Sequence, residues 1–324
     1  MVKAVRVHDY GGPEALSVDD IEIGAPGPGE VLVRHTAVGL NFIDTYHRSG
    51  LYKLDQLPHT LGVEGAGVIE AVGADVTDLA PGDRVAYGGG IGSYCEMRVM
   101  DAGRLVKLPD GIGDQQAAAM MLQGMTVRYL VRRVHRIEPG ETVLIHAAAG
   151  GVGLIFCQWA KHLGATVIGT VSSDQKAALA EAHGCDHPIV YTRDDFVARV
   201  RQLTGGDGVP VVYDSVGQET WEGSLDCLAP LGLMVSFGNA SGPAPSFTVL
   251  DLMRRGSLFV TRPVLAHYTA ARKDLLATAN DLFDMVTSGA VKIEINQRYA
   301  LGEAEDAHRD LEGRRTTGSS ILIP

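Results

Sequence analysis

The segment Thr142-Val143-Leu144-Ile145-His146-Ala147-Ala148-Ala149-Gly150-Gly151-Val152-Gly153 constrains the fold of this chain more than any other. It joins an apolar, β-prone run to a small-residue turn and then to the apolar helix Leu154-Ile155-Phe156-Cys157-Gln158-Trp159-Ala160. A buried strand that feeds a helix in this way presents the helix's first N–H groups, and the positive end of its dipole, to an anion. The spacing Ala148-x-Gly150-x-x-Gly153 is a variant of G-x-G-x-x-G with alanine first. In isolation such small residues also serve plain helix–strand packing; between a strand and a helix, with a second strand at the expected distance, they read as a dinucleotide-binding turn.

The surrounding rhythm agrees. From about residue 123 the chain alternates strands, read at 143–147, 166–170, 188–191, 209–213, 233–237 and 257–261, with helices near 151–163, 174–183, 194–203 and 218–228. Alternation of this kind gives a parallel sheet covered on both faces, and six strands is the count of a doubly wound Rossmann fold. The first 120 or so residues instead read as short strands between turns. Pro28-Gly29-Glu30, Pro81-Gly82-Asp83 and Pro139-Gly140-Glu141 each precede a β-prone run, as type II turns do. The glycines of Gly62-Val63-Glu64-Gly65-Ala66-Gly67 imply close backbone approach or bulging in a sheet. After 262 come a long helical stretch at 269–288, another near 303–312, and a strand at 319–323 that must pair with the N-terminal β domain. The expected organisation is a β-rich domain of residues 1–122 and 263–324 around a Rossmann domain of residues 123–262.

The end of the second Rossmann strand selects the cofactor. An acidic residue there binds the ribose 2′-hydroxyl and repels a 2′-phosphate. Here Ser172 and Ser173 stand in its place, with Lys176 one helical turn on to supply positive charge, so the sequence favours NADPH. Asp174 reads as the N-cap of the following helix.

Composition narrows the function classes. A net charge of −11 disfavours nucleic acid and anionic membranes as partners. The cluster Arg132, Arg133, His135 and Arg136 reads as a solvated helix end. The cysteines, Cys95, Cys157, Cys185 and Cys227, are widely spaced and form no CxxC pair, the pattern of reduced thiols. No stretch reaches the about 18 apolar residues needed to span a bilayer, and the first residues read as a strand. A cytoplasmic enzyme is expected. His47, His59, His146 and His267 form no metal-binding spacing and read as surface or core-edge residues; no G-x-S-x-G surrounds Ser93-Tyr94, so a hydrolase is not indicated.

Taken along the whole chain, Gly39-Leu40-Asn41-Phe42-Ile43-Asp44, Leu61-Gly62-Val63-Glu64-Gly65-Ala66-Gly67, Gly92-Ser93-Tyr94-Cys95-Glu96, the Ala148 to Gly153 turn and Thr316-Thr317-Gly318-Ser319-Ser320 resemble the medium-chain dehydrogenase/reductase family, in its zinc-free quinone oxidoreductase branch, which includes ζ-crystallin. The resemblance implies a GroES-like barrel for the β-rich domain and a homodimer formed through the edge of the Rossmann sheet. Zinc alcohol dehydrogenases of this family have Cys at the position of Asn41 and Gly-His-Glu at Gly62-Val63-Glu64, so only Glu64 of that ligand set remains and no metal is expected.

The same resemblance implies cofactor contacts from Phe42, Thr126, Ala148, Gly150, Gly151, Val152, Gly153, Ser172, Ser173, Lys176, Tyr191, Phe237, Asn239, Ser241, Phe259, Thr261 and Arg315. The expected reaction is hydride transfer from NADPH to a quinone in the cleft between the domains. Tyr46 and Tyr52 are candidate donors to a developing oxyanion, and Asn41 a candidate for orienting the nicotinamide amide or the acceptor carbonyl. The tyrosines also read as packing residues of a turn-rich loop. Reduction of enoyl or alkenal acceptors, and NADPH binding without turnover, are the alternatives.

Overall fold

The computed structural model describes residues 1–324, and the chain divides into two compact units. One comprises Met1–Met125, Tyr268–Ser288 and Ile293–Pro324; the other comprises Thr126–His267 and Gly289–Lys292. The chain crosses between units four times rather than two. The extra crossings arise because Gln158 clasps the Lys292 backbone, accepting from its N–H at 2.8 Å and donating to its carbonyl at 3.0 Å.

The second unit is built on a six-stranded sheet in the order His187–Val190, Thr166–Val171, Thr142–Ile145, Val209–Asp214, Leu228–Ser236, Phe259–Thr261, with every neighbouring pair parallel. This is the doubly wound arrangement read from the alternation. Its core stacks Leu144, Ile168, Val212 and Met234 from four adjacent strands against Trp221 and Leu225 of the helix Trp221–Asp226. Strand Thr142–Ile145 stops before the expected residue 147, since Ala147 adopts a left-handed φ of 57°. The helix expected at 218–228 is shorter at both ends, and Leu228 already belongs to the next strand.

The first unit is β-rich. Its larger sheet runs Ile295–Ala300, Ser319–Ile323, Glu30–Leu40, Glu64–Val72, Arg84–Gly88, Val106–Lys107, with Met97–Asp101 also pairing with Glu30–Leu40. The strand Ser319–Ile323 pairs antiparallel with Glu30–Leu40. Strand Ile295–Ala300, absent from the sequence reading, runs parallel beside it; Gln297 and Arg298 interrupt its apolar signal. The three Pro-Gly turns hold Gly29, Gly82 and Gly140 at φ of 75°, 93° and 85°, as type II geometry requires. At Gly67 a Cβ would overlap the Arg34 backbone of the neighbouring strand, which accounts for the glycine there. The long helix expected at 269–288 is Arg272–Thr287, starting three residues later because residue 271 is extended, with ψ of 138°, and serves as its N-cap; a separate short helix, Leu265–Tyr268, precedes it.

Candidate functional site

In the second unit, the turn after Thr142–Ile145 delivers the helix Gly151–His162, whose N-cap Gly150 is extended and offers no side chain to the first-turn amides. The N–H groups of the first turn have no intrahelical partners, so they and the dipole form an anion cradle. Gly153 packs so closely on the turn that a Cβ would stand 2.6 Å from the Ala148 carbonyl carbon. Ala148 is fully buried, while Gly150, Gly151 and Val152 are half-exposed at the mouth of the cradle.

The neighbouring strand Thr166–Val171 leads into Ser172 and Ser173. Ser173, not Asp174, caps the helix Asp174–Ala182, its Oγ accepting from the Lys176 N–H at 3.3 Å. Asp174 occupies the first helical position and is held by Arg193, whose Nη1 lies 3.2 and 3.3 Å from its two carboxylate oxygens. Tyr191 joins the same patch, its N–H donating to the Val171 carbonyl at 3.0 Å, and Thr192 Oγ1 donates to the Ser172 carbonyl at 3.2 Å. Ser172, Ser173, Lys176 and Tyr191 are therefore gathered at the carboxyl end of one strand pair. Arg193 was missed by sequence reasoning because it lies 19 residues from its carboxylate partner.

On the other side of the sheet centre, Phe237, Asn239 and Ser241 follow the strand Leu228–Ser236 at its carboxyl end. Ser241 is fixed to the loop after Val209–Asp214, its N–H donating to the Val216 carbonyl at 2.8 Å. Thr261 ends the edge strand, whereas Phe259 begins it, is 60% exposed, and is not brought to the carboxyl-end cluster. Thr126 is half-buried on the helix Met121–Tyr129. Arg315 belongs to the first unit, exposed and paired with Asp310 at 2.6 Å.

His146, read as a surface or core-edge residue, is 1% exposed and lies between Thr170 Oγ1 and Ser224 Oγ, each 2.9 Å away. Ser224 in turn reaches Asp214, which is fully buried. Neither Asp214 nor Ser224 was singled out from the sequence; an acid closing the apolar run Val209–Asp214 was the available signal.

In the first unit, a second polar cluster is buried. Strand Glu30–Leu40 ends at Asn41, the N-cap of helix Phe42–Ser49, which carries the half-buried Phe42 and the buried Tyr46. Asn41 Nδ2 donates to Glu64 Oε2 at 2.7 Å, and Asn41 Oδ1 accepts from Gln123 Nε2 at 3.1 Å. Gln123 Oε1 lies 2.8 Å from Ser319 Oγ. The amide of Asn41 is thus engaged inward. Tyr46 and Tyr52 are brought together edge to face at 5.3 Å, and the Tyr52 N–H donates to the Tyr46 carbonyl at 3.0 Å.

Burial raises the Glu64 carboxyl to about 8, partly opposed by its hydrogen bonds from Asn41 and the Leu122 N–H. Burial likewise raises Asp44 to about 7, although it accepts from the Asn41 N–H at 2.8 Å and the Tyr94 hydroxyl at 2.9 Å. Tyr94 also contacts His308 at 3.2 Å, and His308 contacts Arg48 at 2.9 Å, extending the chain to Glu312.

The donors around Glu64 do not fit zinc. Both carboxylate oxygens are taken up by N–H donors, Asn41 presents an amide nitrogen, and residue 63 is a buried valine. A tetrahedral zinc site needs three or four thiolate, imidazole or carboxylate ligands.

Comparison with known proteins agrees with this architecture. Residues 27–110 match the alcohol dehydrogenase GroES-like domain family, and residues 151–276 match the zinc-binding dehydrogenase family. A quinone oxidoreductase of Pseudomonas aeruginosa is 54% identical, with 100% of both chains covered. A 2-haloacrylate reductase of a Burkholderia species is 46% identical over 100% of this chain and 99% of its own. The solved structure of Escherichia coli quinone oxidoreductase complexed with NADPH superposes with a TM-score of 0.98 at 47% identity, covering 99% of this chain and 100% of that one. By fold, by site and by these full-length likenesses, the chain belongs to the quinone oxidoreductase branch of the medium-chain dehydrogenase/reductase family.

Proposed function

We propose that this protein is an NADPH-dependent, zinc-independent quinone oxidoreductase. The observation that carries the reading is the uncapped helix N-terminus at Gly150–Gly153, with a serine pair rather than a free acid at the end of the next strand. Full-length likeness to quinone oxidoreductases supports the acceptor class. Bound NADPH supplies a hydride which, with one proton, converts a quinone to a hydroquinone.

Each group of residues then has a task. The amides of Gly151 to Gly153 hold the pyrophosphate, backed by Ala148 and Gly150. Ser172, Ser173, Lys176 and Tyr191 receive the 2′-phosphate, and Arg193, which also pairs with Asp194, offsets the charge of Asp174, an acid that would repel it. Phe237, Asn239, Ser241 and Thr261, with Thr126 and Phe42, line the rest of the dinucleotide. Tyr46 and Tyr52 donate to the oxyanion that forms on the acceptor. Asn41 positions its loop through Glu64 and Gln123. In this assignment the first unit is the substrate domain and the second the NADPH domain.

A cytoplasmic homodimer completes the proposal. No helix is long and apolar enough to cross a membrane. The edge strand Phe259–Thr261 and helix Val249–Arg254 expose Val249 at 79%, Phe259 at 60% and Met253 at 56%, apolar surface that a second copy would cover.

Fluorescence titration with NADPH and NADH, followed by loss of nicotinamide absorbance on adding a 1,4-quinone, tests the function. Tighter NADPH binding and rapid oxidation, undiminished by a chelator, are expected; failure to bind either nucleotide would overturn the reading. Reduction of an activated alkene is the second reading, favoured by likeness to the 2-haloacrylate reductase. Rates with 2-alkenals well above those with quinones would establish it instead.

A further inference from the structure

The sheet order places the topological switch between strands Thr142–Ile145 and Val209–Asp214, which pair side by side although the chain makes two further strands between them. Dinucleotides lie across such a switch, one half on each side. A buried polar chain crosses it at the carboxyl ends of the strands. Thr170, His146, Ser224 and Asp214 are each no more than 2% exposed.

Donor and acceptor capacities give this chain one direction. Asp214 Oδ2 accepts from the Ser224 and Thr220 hydroxyls, each at 2.7 Å, while Oδ1 accepts from the N–H groups of Val216 at 2.7 Å and Gly217 at 3.0 Å. With its hydrogen committed to Asp214, Ser224 Oγ accepts from His146 Nε2, leaving His146 Nδ1 to accept from the Thr170 hydroxyl. Burial favours the neutral imidazole, whose one proton then sits on Nε2 facing Ser224 while Nδ1 accepts from the Thr170 hydroxyl.

The carboxylate's grip extends to the segment that follows the strand Leu228–Ser236. Val216, held by Asp214, accepts from the Ser241 N–H at 2.8 Å and the Ser241 hydroxyl at 2.9 Å; Ser215 accepts from the Ala240 N–H at 3.1 Å, and the Gln218 N–H donates to Gly242 at 3.1 Å. The segment carrying Asn239 and Ser241 is thus fastened to a loop whose own shape one buried carboxylate sets. A buried ion with four donors is weak evidence for stability, since apolar packing does as well; what it supplies here is a fixed loop.

We propose that Asp214 is a positioning residue for the half of the dinucleotide across the switch from Ser172 and Lys176, the nicotinamide half, with Ser224 and His146 holding its carboxylate in register. The proposal rests on the dinucleotide reading above. It separates the two halves of the cofactor, so 2′,5′-ADP, which carries only the adenosine half, is the discriminating probe.

Titration of wild type, Asp214→Asn and Ser224→Ala with 2′,5′-ADP and with NADPH tests it, alongside kcat and KM for NADPH. The expected result is an NADPH Kd raised roughly tenfold or more in Asp214→Asn and about threefold in Ser224→Ala, a lower kcat, and 2′,5′-ADP affinity within about twofold of wild type. If Asp214→Asn does not fold, Ser224→Ala, which removes only a hydroxyl, decides alone. Equal weakening of both ligands, or no weakening of either, overturns the positioning role while wild-type binding leaves the cofactor reading standing. Wild-type protein that binds neither ligand overturns the cofactor reading and this proposal together.

Discussion

Gly153 shows how little latitude the phosphate turn allows. A Cβ there meets backbone rather than a movable side-chain tip, so Gly153→Ala must displace the turn itself. We expect NADPH affinity to fall at least about tenfold, equivalent to about 1.4 kcal/mol, and the thermal midpoint to fall with it, because Gly153 and the Ala148 backbone it meets are buried. At the 2′-phosphate patch, Ser172→Asp with Lys176→Ala is expected to reverse the preference from NADPH to NADH, read as the ratio of kcat/KM values. The serine pair and the lysine were legible because they are local. The Arg193–Asp174 pair was not, since only the parallel pairing of two strands brings those residues together. The same holds for Asn41: its position in the sequence invited a catalytic role, while its partners, Glu64 and Gln123, lie on other segments and turn its amide inward.

At the scale of elements, alternation was readable wherever each strand is a buried apolar run. Thr166–Val171 and Val209–Asp214 are of this kind, covered on both faces. Ile295–Ala300 escaped because the polar Gln297 stands on its less exposed face, between Ile295 and Tyr299, and breaks the alternation, and because its partner is recruited from a later segment. The edge strand Phe259–Thr261, read at 257–261, is only three residues long, and its exposed apolar neighbours carry a prediction. Val249→Asp combined with Met253→Asp should shift sedimentation from dimer to monomer at micromolar concentration, with NADPH binding retained. A wild-type protein that sediments as a monomer would remove the basis for that surface.

The whole molecule carries buried ionisable groups of both kinds, and together they set a pH profile for stability. Burial lowers His35 and His47 to about 4 and His308 to about 3, and also lowers His59 and His146. Their contribution is present above the ordinary histidine value and is lost as pH falls toward those depressed values. Asp44 and Glu64, raised to about 7 and about 8, behave oppositely: their contribution is present below the ordinary carboxyl range and is lost as pH rises through 7 and 8. The histidines outnumber the acids, so stability should climb to about pH 6.5 and decline to about pH 8. Thermal melts from pH 5 to 9 check this, and Glu64→Gln should flatten the decline. A midpoint that keeps rising to pH 8 would contradict it.

The strand Ser319–Ile323 lies between Glu30–Leu40 and Ile295–Ala300. A ribosome delivers that strand only after residues 126–267, so the nucleotide-binding sheet has all its strands in hand while the β-rich unit still lacks an interior member of its own. During synthesis the early segment must wait with the Val38–Leu40 end of that strand unpaired on one side, since Met97–Asp101 covers only Glu30–Arg34, and that waiting period is when this chain is most open to wrong partners.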